Sequence, residues 1–321
     1  MEHIKNVLIC GLGGVGCVCA STIADTKSVD LRILIDKKRY ETYTKTPTQF
    51  NSKRYDFNYI LPSETKFKSD LIIIATKDDG LNDAIENIKN FVKENTIIIA
   101  PLNGIHSEAK IIEEYDSNKV IYSFFIGSSC IREGRSITQD GNYQFIIGDR
   151  NNPQSEEVKL LSSFFEKCNI KHKVSNHIME RYWRKFMVNV GLNQLCTVEN
   201  KTFKEIKQEP KLVEKMKKLI WEVKLLAEKE GINNPQKLYD DTIKFLIEDF
   251  EDATPSMLQD IRAGRKTEVD ILAGEVVKLG KKHNIQTPEN EKIYKKIKIL
   301  EEKVWKILYG NFIEKEINYP K

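Results

Sequence analysis

Residues 183–195 read WRKFMVNVGLNQL, and on a helix Lys185, Asn189 and Asn193, each four residues from the last, share one face. The rows beside that face are apolar: Tyr182, Phe186 and Val190 on one side, Val188, Leu192 and Cys196 on the other. An amide enclosed by such walls without partners costs roughly 2 to 7 kcal/mol. The stripe is therefore either costly or purposeful, and the rest of the chain must decide which. A cation beside an oxygen that gains charge stabilises that charge and can protonate it, while asparagine offers a donor and an acceptor without charge, which suits a hydroxyl.

A second set surrounds a glycine-rich turn. In NVLICGLGGVGCVCA, Gly11, Gly13 and Gly16 form GxGxxG between an apolar run and a helical pattern. In that setting Gly11 permits a tight turn, Gly13 lets the backbone approach a pyrophosphate, Gly16 allows helix and strand to pack closely, and the helix N-terminus favours the phosphate charge. Asp36, twenty residues beyond Gly16, ends LRILID, where a carboxylate binds the ribose 2′-hydroxyl of NAD. Lys37, Lys38 and Arg39 follow at once and could hold a 2′-phosphate, or could simply be a solvated loop. On these residues the choice of dinucleotide stays open. Lys77 follows DLIIIAT, and Asn103 with Gly104 follows NTIIIAP; both fall at strand carboxyl ends, the edge where open α/β sheets bind ligands, although an Asn-Gly pair is most often only a turn.

Further on, Ser256 with Gln259 fits a capping box, and Thr267 with Asp270 repeats the pattern in acidic form, so both read first as helix starts, with Glu268 as an acid near a helix N-terminus.

The elements needed to position these residues follow from periodicity. Up to about residue 170, Ile/Val/Leu-rich runs (NVLIC, LRILI, DLIIIAT, NTIIIAP, KVIYSFFIG) alternate with helical patterns, the mark of a parallel sheet buried on both faces. Asp140-Gly141 between β-prone runs predicts an appended hairpin over 135–148, followed by a helix over 154–167 and a strand over 170–175. After 176 the pattern is helical, broken at Pro210, Gly231 to Pro235, Pro255, Gly264 and Pro288. The expected organisation is an α/β dinucleotide-binding domain over 1–175 and an all-helical domain over 176–321.

Composition bounds the partners. The 321 residues are 40% hydrophobic and 31% charged, and 51 basic against 47 acidic residues leave a net charge of +4, too balanced for a nucleic-acid surface. Six cysteines without CxxC or zinc spacing read as reduced, buried thiols, no apolar run is long enough for a membrane span, and the five histidines show no ligand pattern, so a cytoplasmic protein without metal is expected.

Five blocks taken together, GLGGVG at 11–16, TK at 76–77, NG at 103–104, WRKFMVNVGLNQ at 183–194 and SMLQDIRAGRKTEVD at 256–270, resemble the ketopantoate reductase family in order and spacing along the whole chain. The resemblance implies a Rossmann domain followed by a helical domain like the carboxyl half of 6-phosphogluconate dehydrogenases. It implies NADPH-dependent reduction of ketopantoate to pantoate, on the way to pantothenate and coenzyme A. Lys185 would be the general acid and Glu268 would assist at the active site. Asn103, Asn189, Asn193 and Ser256 would bind substrate. Gly11, Leu12, Gly13, Gly14, Val15 and Gly16, with Asp36, Lys37, Arg39, Lys77, Asn103 and Glu268, would face the cofactor. Asp36 departs from the family's usual NADPH pattern and keeps NADH open, and the glutamine that commonly precedes Asn-Gly is absent.

On this reading Lys185 protonates the alkoxide formed by hydride addition and titrates as a coupled pair with Glu268, the asparagines bind a substrate hydroxyl, and Ser256 at a helix start suits a carboxylate. The partner is a small molecule, with neither nucleic acid nor membrane, and a homodimer stays open. Two alternatives remain: a reductase of another 2-keto acid, and a cofactor-binding regulator without catalysis, which would need neither Lys185 nor Glu268.

Overall fold

Apolar runs without polar alternation become strands here because both of their faces are covered. In the computed structural model, which describes residues 3–116, 119–127, 129–250 and 254–316, successive residues of β1 (Asn6–Cys10) point to opposite cores. Val7 and Ile9 join one apolar cluster, Leu8 and Cys10 the other, and Ile72/Ile73 and Ile98/Ile99 divide in the same way. The chain forms two compact units, Met1–Ile178 and Met179–Lys321.

The first unit is built on a five-stranded parallel sheet of β1, β2 (Asp30–Leu34), β5 (Asn58–Ile60), β6 (Leu71–Ile74) and β7 (Ile97–Ile99), in the order β5-β2-β1-β6-β7. Helices α1 (Gly14–Asp25), α2 (Lys37–Tyr43), α3 (Leu81–Asn87) and α4 (Ser107–Glu114) connect or follow these strands. The strand order reverses beside β1, which puts the topological switch point, the ligand-binding edge of a Rossmann-type sheet, at the carboxyl ends of β1 and β6.

The predicted hairpin over 135–148 does not form. Its two halves are β10 (Ser136–Asp140) and β11 (Gln144–Gly148), and they lie in different sheets. β10 pairs with β9 (Ser129–Glu133) through a two-residue loop at Gly134, φ +60°, and with β3 (Thr48–Phe50), itself paired to β4 (Lys53–Tyr55) across Asn51 and Ser52, both at positive φ. β11 pairs with β8 (Tyr122–Ile126) and β12 (His172–Val174). The Asp140-Gly141 pair does turn the chain, with the Asp140 carboxylate accepting the Gly141 N–H at 2.7 Å, but it hands the chain from one sheet to the next. Helix α5 (Glu156–Lys167), capped by Ser155, lies between β11 and β12 in sequence.

The second unit is helical: α6 (Ile178–Val188), α7 (Gln194–Glu199), α8 (Phe203–Lys207), α9 (Pro210–Lys229), α10 (Pro235–Glu248), α11 (Ser256–Arg262), α12 (Ala273–His283) and α13 (Pro288–Glu316). Pro210, Pro235 and Pro288 begin helices rather than end them, as expected where the missing N–H has no intrahelical partner to lose. Between α6 and α7, residues Asn189–Asn193 form a π-helical turn. Among the described residues no helix is long and apolar enough to cross a membrane, and no cluster of three His, Cys, Asp or Glu is arranged to hold a metal. Among the described residues, which include all six cysteines, there is no disulfide; burial pushes the Cys168 thiol up to about 11 and that of Cys17 to about 12.

Candidate active site

The first unit carries the glycine turn at the carboxyl end of β1. Gly11 has φ +97°, and a Cβ there would lie 2.6 Å from the Ala75 carbonyl oxygen, so no other residue fits. A Cβ on Gly16 would stand 2.0 Å from Gly11 O, which is the close packing of helix and turn that the spacing predicts. Gly13 is different: the nearest atom to a Cβ there is 3.9 Å away. Its outer side is clear, and as N-cap of α1 it provides no side-chain partner for the first-turn N–H groups. Those donors and that clearance fit the phosphates of a dinucleotide.

Two residues of β9 touch this turn, and nothing in their local sequence announces it. Cys130 lies against Gly14, where a Cβ would be 2.3 Å from the Cys130 Cβ. Arg132 donates from Nη1 to Leu12 O at 3.3 Å and from Nη2 to the Tyr43 hydroxyl at 3.0 Å. Burial favours the neutral Tyr43 phenol, but the hydrogen bond and charge of Arg132 and the charge of Arg135 outweigh it and hold that phenol below its ordinary range. Val15 packs, partly buried, against the core under α1.

Asp36 does not stand as a free carboxylate. It caps α2, with Oδ1 accepting the Arg39 N–H at 2.7 Å, while Oδ2 pairs with Arg39 Nη1 at 2.8 Å. The cations after it therefore belong to a helix rather than the solvated loop that was one expectation, because Asp36 supplies the N-cap. Lys37 and Lys38 are exposed on that helix. Lys77 is the N-cap of the 3₁₀ turn Asp78–Gly80 that follows β6, and half-buried Asn103 lies in the loop that follows β7. These two loops are tied together: His106 Nε2 bonds Asp78 Oδ1 at 2.5 Å.

The second unit carries the stripe. Lys185 sits on α6 and is half-buried, as is Asn189, while Asn193 is 7% exposed. The flanking Tyr182, Phe186, Val190, Leu192 and Cys196 are buried, and Val188 is half-buried. In a plain α-helix every fourth residue oversteps a full turn by about 40°, so three residues so spaced drift around the axis. The π turn over Asn189–Asn193 has more residues per turn, so four residues fall short of a full turn there, a step of opposite sign to that drift. Gly191 lets the widened turn press on α9, since a Cβ there would be 2.3 Å from Ile220 Cγ1.

Asn193 Nδ2 donates to Ser256 Oγ at 3.4 Å, and Asn193 Oδ1 is buried with no partner among the described residues. Ser256 is not a helix cap. Pro255 occupies the N-cap position of α11, Ser256 is the first helical residue, and Gln259 turns its Nε2 to Thr254 O at 2.9 Å. The proline carbonyl already accepts the Gln259 N–H, which leaves the serine hydroxyl to meet Asn193.

Glu268, half-buried, precedes the 3₁₀ turn Val269–Ile271, and the capping pattern at Thr267 is also not realised as a box. Thr267 donates its N–H and its hydroxyl to Glu301 of α13, while Tyr294 and Lys298 from the same helix bond Asp270. Glu301 is a functional candidate that sequence reading missed, because its partner lies 34 residues away.

A family model described as "Ketopantoate reductase PanE/ApbA" matches residues 7–152, and its companion "Ketopantoate reductase PanE/ApbA C terminal" matches 177–301. The 2-dehydropantoate 2-reductase of Aquifex aeolicus (strain VF5) is 32% identical over 244 residues, 74% of this chain and 78% of that protein. Among solved structures, a ternary structure of D-mandelate dehydrogenase with NADH and anilino(oxo)acetate superposes with a TM-score of 0.82 at 20% identity, over 94% of this chain and 99% of that one. A dimeric ketopantoate reductase from Staphylococcus aureus gives 0.71 at 20%, over 93% and 99%.

Proposed function

The chain belongs to the ketopantoate reductase family of oxidoreductases, and from that premise we propose that it reduces ketopantoate to (R)-pantoate with NADPH. The observation that carries this reading is the buried, unpartnered amide oxygen of Asn193 beside the Ser256 hydroxyl, on the face that also presents Lys185. A buried acceptor left open costs about 1 to 3 kcal/mol, and the hydroxyl of ketopantoate is the group that would close it.

A bound reduced nicotinamide dinucleotide supplies the hydride. Gly13 and the first-turn N–H groups of α1 would hold its phosphates, Lys37 and Arg39 would take a 2′-phosphate, and Asp36, Lys77 and Asn103 would complete the cofactor edge. As a C–H bond forms at the carbonyl carbon, the C=O π electrons move to oxygen, and Lys185 stabilises that charge and gives it a proton. The neutral lysine then takes a proton back from solvent. Glu268 favours the protonated lysine before the reaction, Asn189 and Asn193 bind the substrate hydroxyl, and Ser256 with the start of α11 takes the carboxylate.

A second reading, reduction of another 2-keto acid with NADH, is favoured by Asp36, whose carboxylate needs only to release Arg39 to bond a ribose hydroxyl. Single-turnover assays with ketopantoate and each nicotinamide cofactor separate the two: turnover with NADPH and ketopantoate supports the first, and no turnover of that pair removes it. A homodimer accompanies the first reading, supported by the dimeric Staphylococcus aureus relative, and sedimentation velocity tests it.

A further inference from the structure

Gln194 closes the motif that carries Lys185 and the two asparagines, yet the proposed reaction uses none of its atoms. It is wholly buried, and its amide makes two hydrogen bonds in opposite directions. Within the π turn, the Gln194 backbone N–H bonds Asn189 O, one residue further back than an α-helix would take it. Val190 O, which would have received that N–H in an α-helix, accepts the Gln194 side chain instead, Nε2 to O at 3.0 Å. The other end of the same amide reaches α12: Oε1 accepts the Ala273 N–H at 3.1 Å. Ala273 is the first residue of that helix, and its N-cap, Leu272, has no side chain that can cap it.

One amide thus satisfies two groups that each element leaves open, a carbonyl displaced by the π turn and a helix-start N–H. Ala273 follows directly on the segment of Glu268, where Ile271 N–H bonds Glu268 O at 3.2 Å and Leu272 N–H bonds Val269 O at 3.3 Å. Hydrogen bonds through Gln194 to Ala273, and the backbone from Ala273 through Leu272, therefore connect the turn bearing Asn189 and Asn193 to the hydrogen-bonded turn bearing Glu268.

We propose that Gln194 is a positioning residue of the substrate site: it keeps the helix wide at 189–193, so that Asn193 stays in line with Lys185, and it ties that turn to the Glu268 segment. The proposal rests on the keto-acid reading for its kinetic consequences, but its structural half stands without it. A side chain that cannot donate to Val190 O removes the reason for the wide turn, and a return to α geometry would rotate Asn193 away from Lys185. A side chain that cannot accept from Ala273 releases α12.

The test uses the full chain and two variants, Gln194→Met, which has similar bulk and neither bond, and Gln194→Glu, which keeps an acceptor for Ala273 and loses the donor to Val190. Amide hydrogen exchange is read without ligand over 186–195 and 268–275. In parallel, kcat and KM are measured for ketopantoate and for ketoisovalerate, which lacks the hydroxymethyl group, and the NADPH Kd is read by cofactor fluorescence.

Gln194→Met is expected to speed exchange in both segments and to lower the preference for ketopantoate at least about tenfold, mainly through KM, the worth of one displaced polar contact. Its NADPH Kd should stay within about twofold, since the cofactor turn lies in the other unit. Gln194→Glu is expected to lose the same preference while 268–275 stays protected, and it serves as the test if the methionine variant does not fold. Faster exchange confined to 186–195 in Gln194→Met would overturn the link to Glu268. An equal fall in kcat for both keto acids, with the preference intact, would show a packing defect and overturn the positioning role. If the unaltered protein reduces neither keto acid, the proposed function falls by itself, and the exchange data alone decide whether Gln194 couples the two turns.

Discussion

Glu301 on α13 accepts two hydrogen bonds from Thr267 on one oxygen, from the backbone N–H and from the hydroxyl, each at 2.7 Å. Thr267 immediately precedes Glu268, so the carboxylate of one helix sets where a candidate site residue of another segment begins. Glu301→Ala would leave the buried Thr267 N–H and the proton of its hydroxyl without an acceptor and should destabilise the protein by about 1 to 3 kcal/mol. It should also lower kcat through Glu268, with Glu301→Gln, which keeps one acceptor, falling between. Urea titrations and steady-state assays check both, and an alanine variant with unchanged kcat would separate Glu301 from the site.

Lys185→Ala should reduce turnover by about 10² to 10⁴, the range of general acid catalysis, while NADPH binding is kept. In the proposed reaction the lysine acts on the oxygen that becomes the alkoxide and not on the cofactor. If the variant retained more than about a tenth of the activity, another group would have to deliver the proton.

Under the proposed function, cofactor preference turns on Asp36 and Arg39, which hold each other in the structure. NADPH is expected to turn over better than NADH, with a 2′-phosphate drawing Arg39 from its partner. Arg39→Ala should then weaken NADPH and leave NADH nearly unchanged, read from kcat/KM for each. Asp36→Ala is the less clean variant, because loss of the α2 cap alone costs about 0.5 to 2 kcal/mol. Equal turnover with both cofactors would mean that the carboxylate decides.

The stripe predicts selectivity. Ketopantoate should be preferred over ketoisovalerate by at least about 10² in kcat/KM, because a site built for a hydroxyl rejects the analogue that leaves its amides unpaired. Asn193→Ala or Asn189→Ala should remove most of that preference without unfolding the chain. Comparable kcat/KM for the two acids in the unaltered protein would leave the stripe without a substrate to explain it.

Acid stability should depend on Asp70. Burial opposes its ionisation, but Lys93 and the N–H groups of Lys5 and Asn6, the latter two at 2.8 Å, outweigh it and hold the carboxyl below its ordinary 3.8. A depressed carboxyl stabilises the fold fully above its unfolded value and loses that contribution as pH falls through the folded one, so the window lies below about pH 4. Asp70→Asn should flatten the fall of melting temperature in that window. An unchanged slope there would assign acid sensitivity to other groups.

The parallel sheet was legible because its cause is local: runs such as LIII at 71–74 carry no polar residue, and only a strand buried on both faces tolerates that. Gly11 and Gly16 were legible for a similar reason, since the contact they permit is with chain already adjacent to the turn or paired beside it. The 135–148 hairpin failed because Asp-Gly says that the chain turns, not which strands it will then join; pairing partners are long-range, and here they are β9 and β8. Helical spacing placed Lys185, Asn189 and Asn193 on one face, but the segment between them closes as a π turn, whose displaced Val190 carbonyl accepts the Gln194 side chain and whose Gly191 leaves room for Ile220 of α9. The capping patterns at Ser256 and Thr267 misled in the same manner, since each hydroxyl had a second partner, Asn193 or Glu301, that only tertiary packing brings within reach. Residue types and periods thus determine which groups a segment can offer and which face they share. Which of several eligible partners each group takes is decided by the packing of elements distant in sequence, because a hydrogen bond is made with whatever the fold brings to about 3 Å.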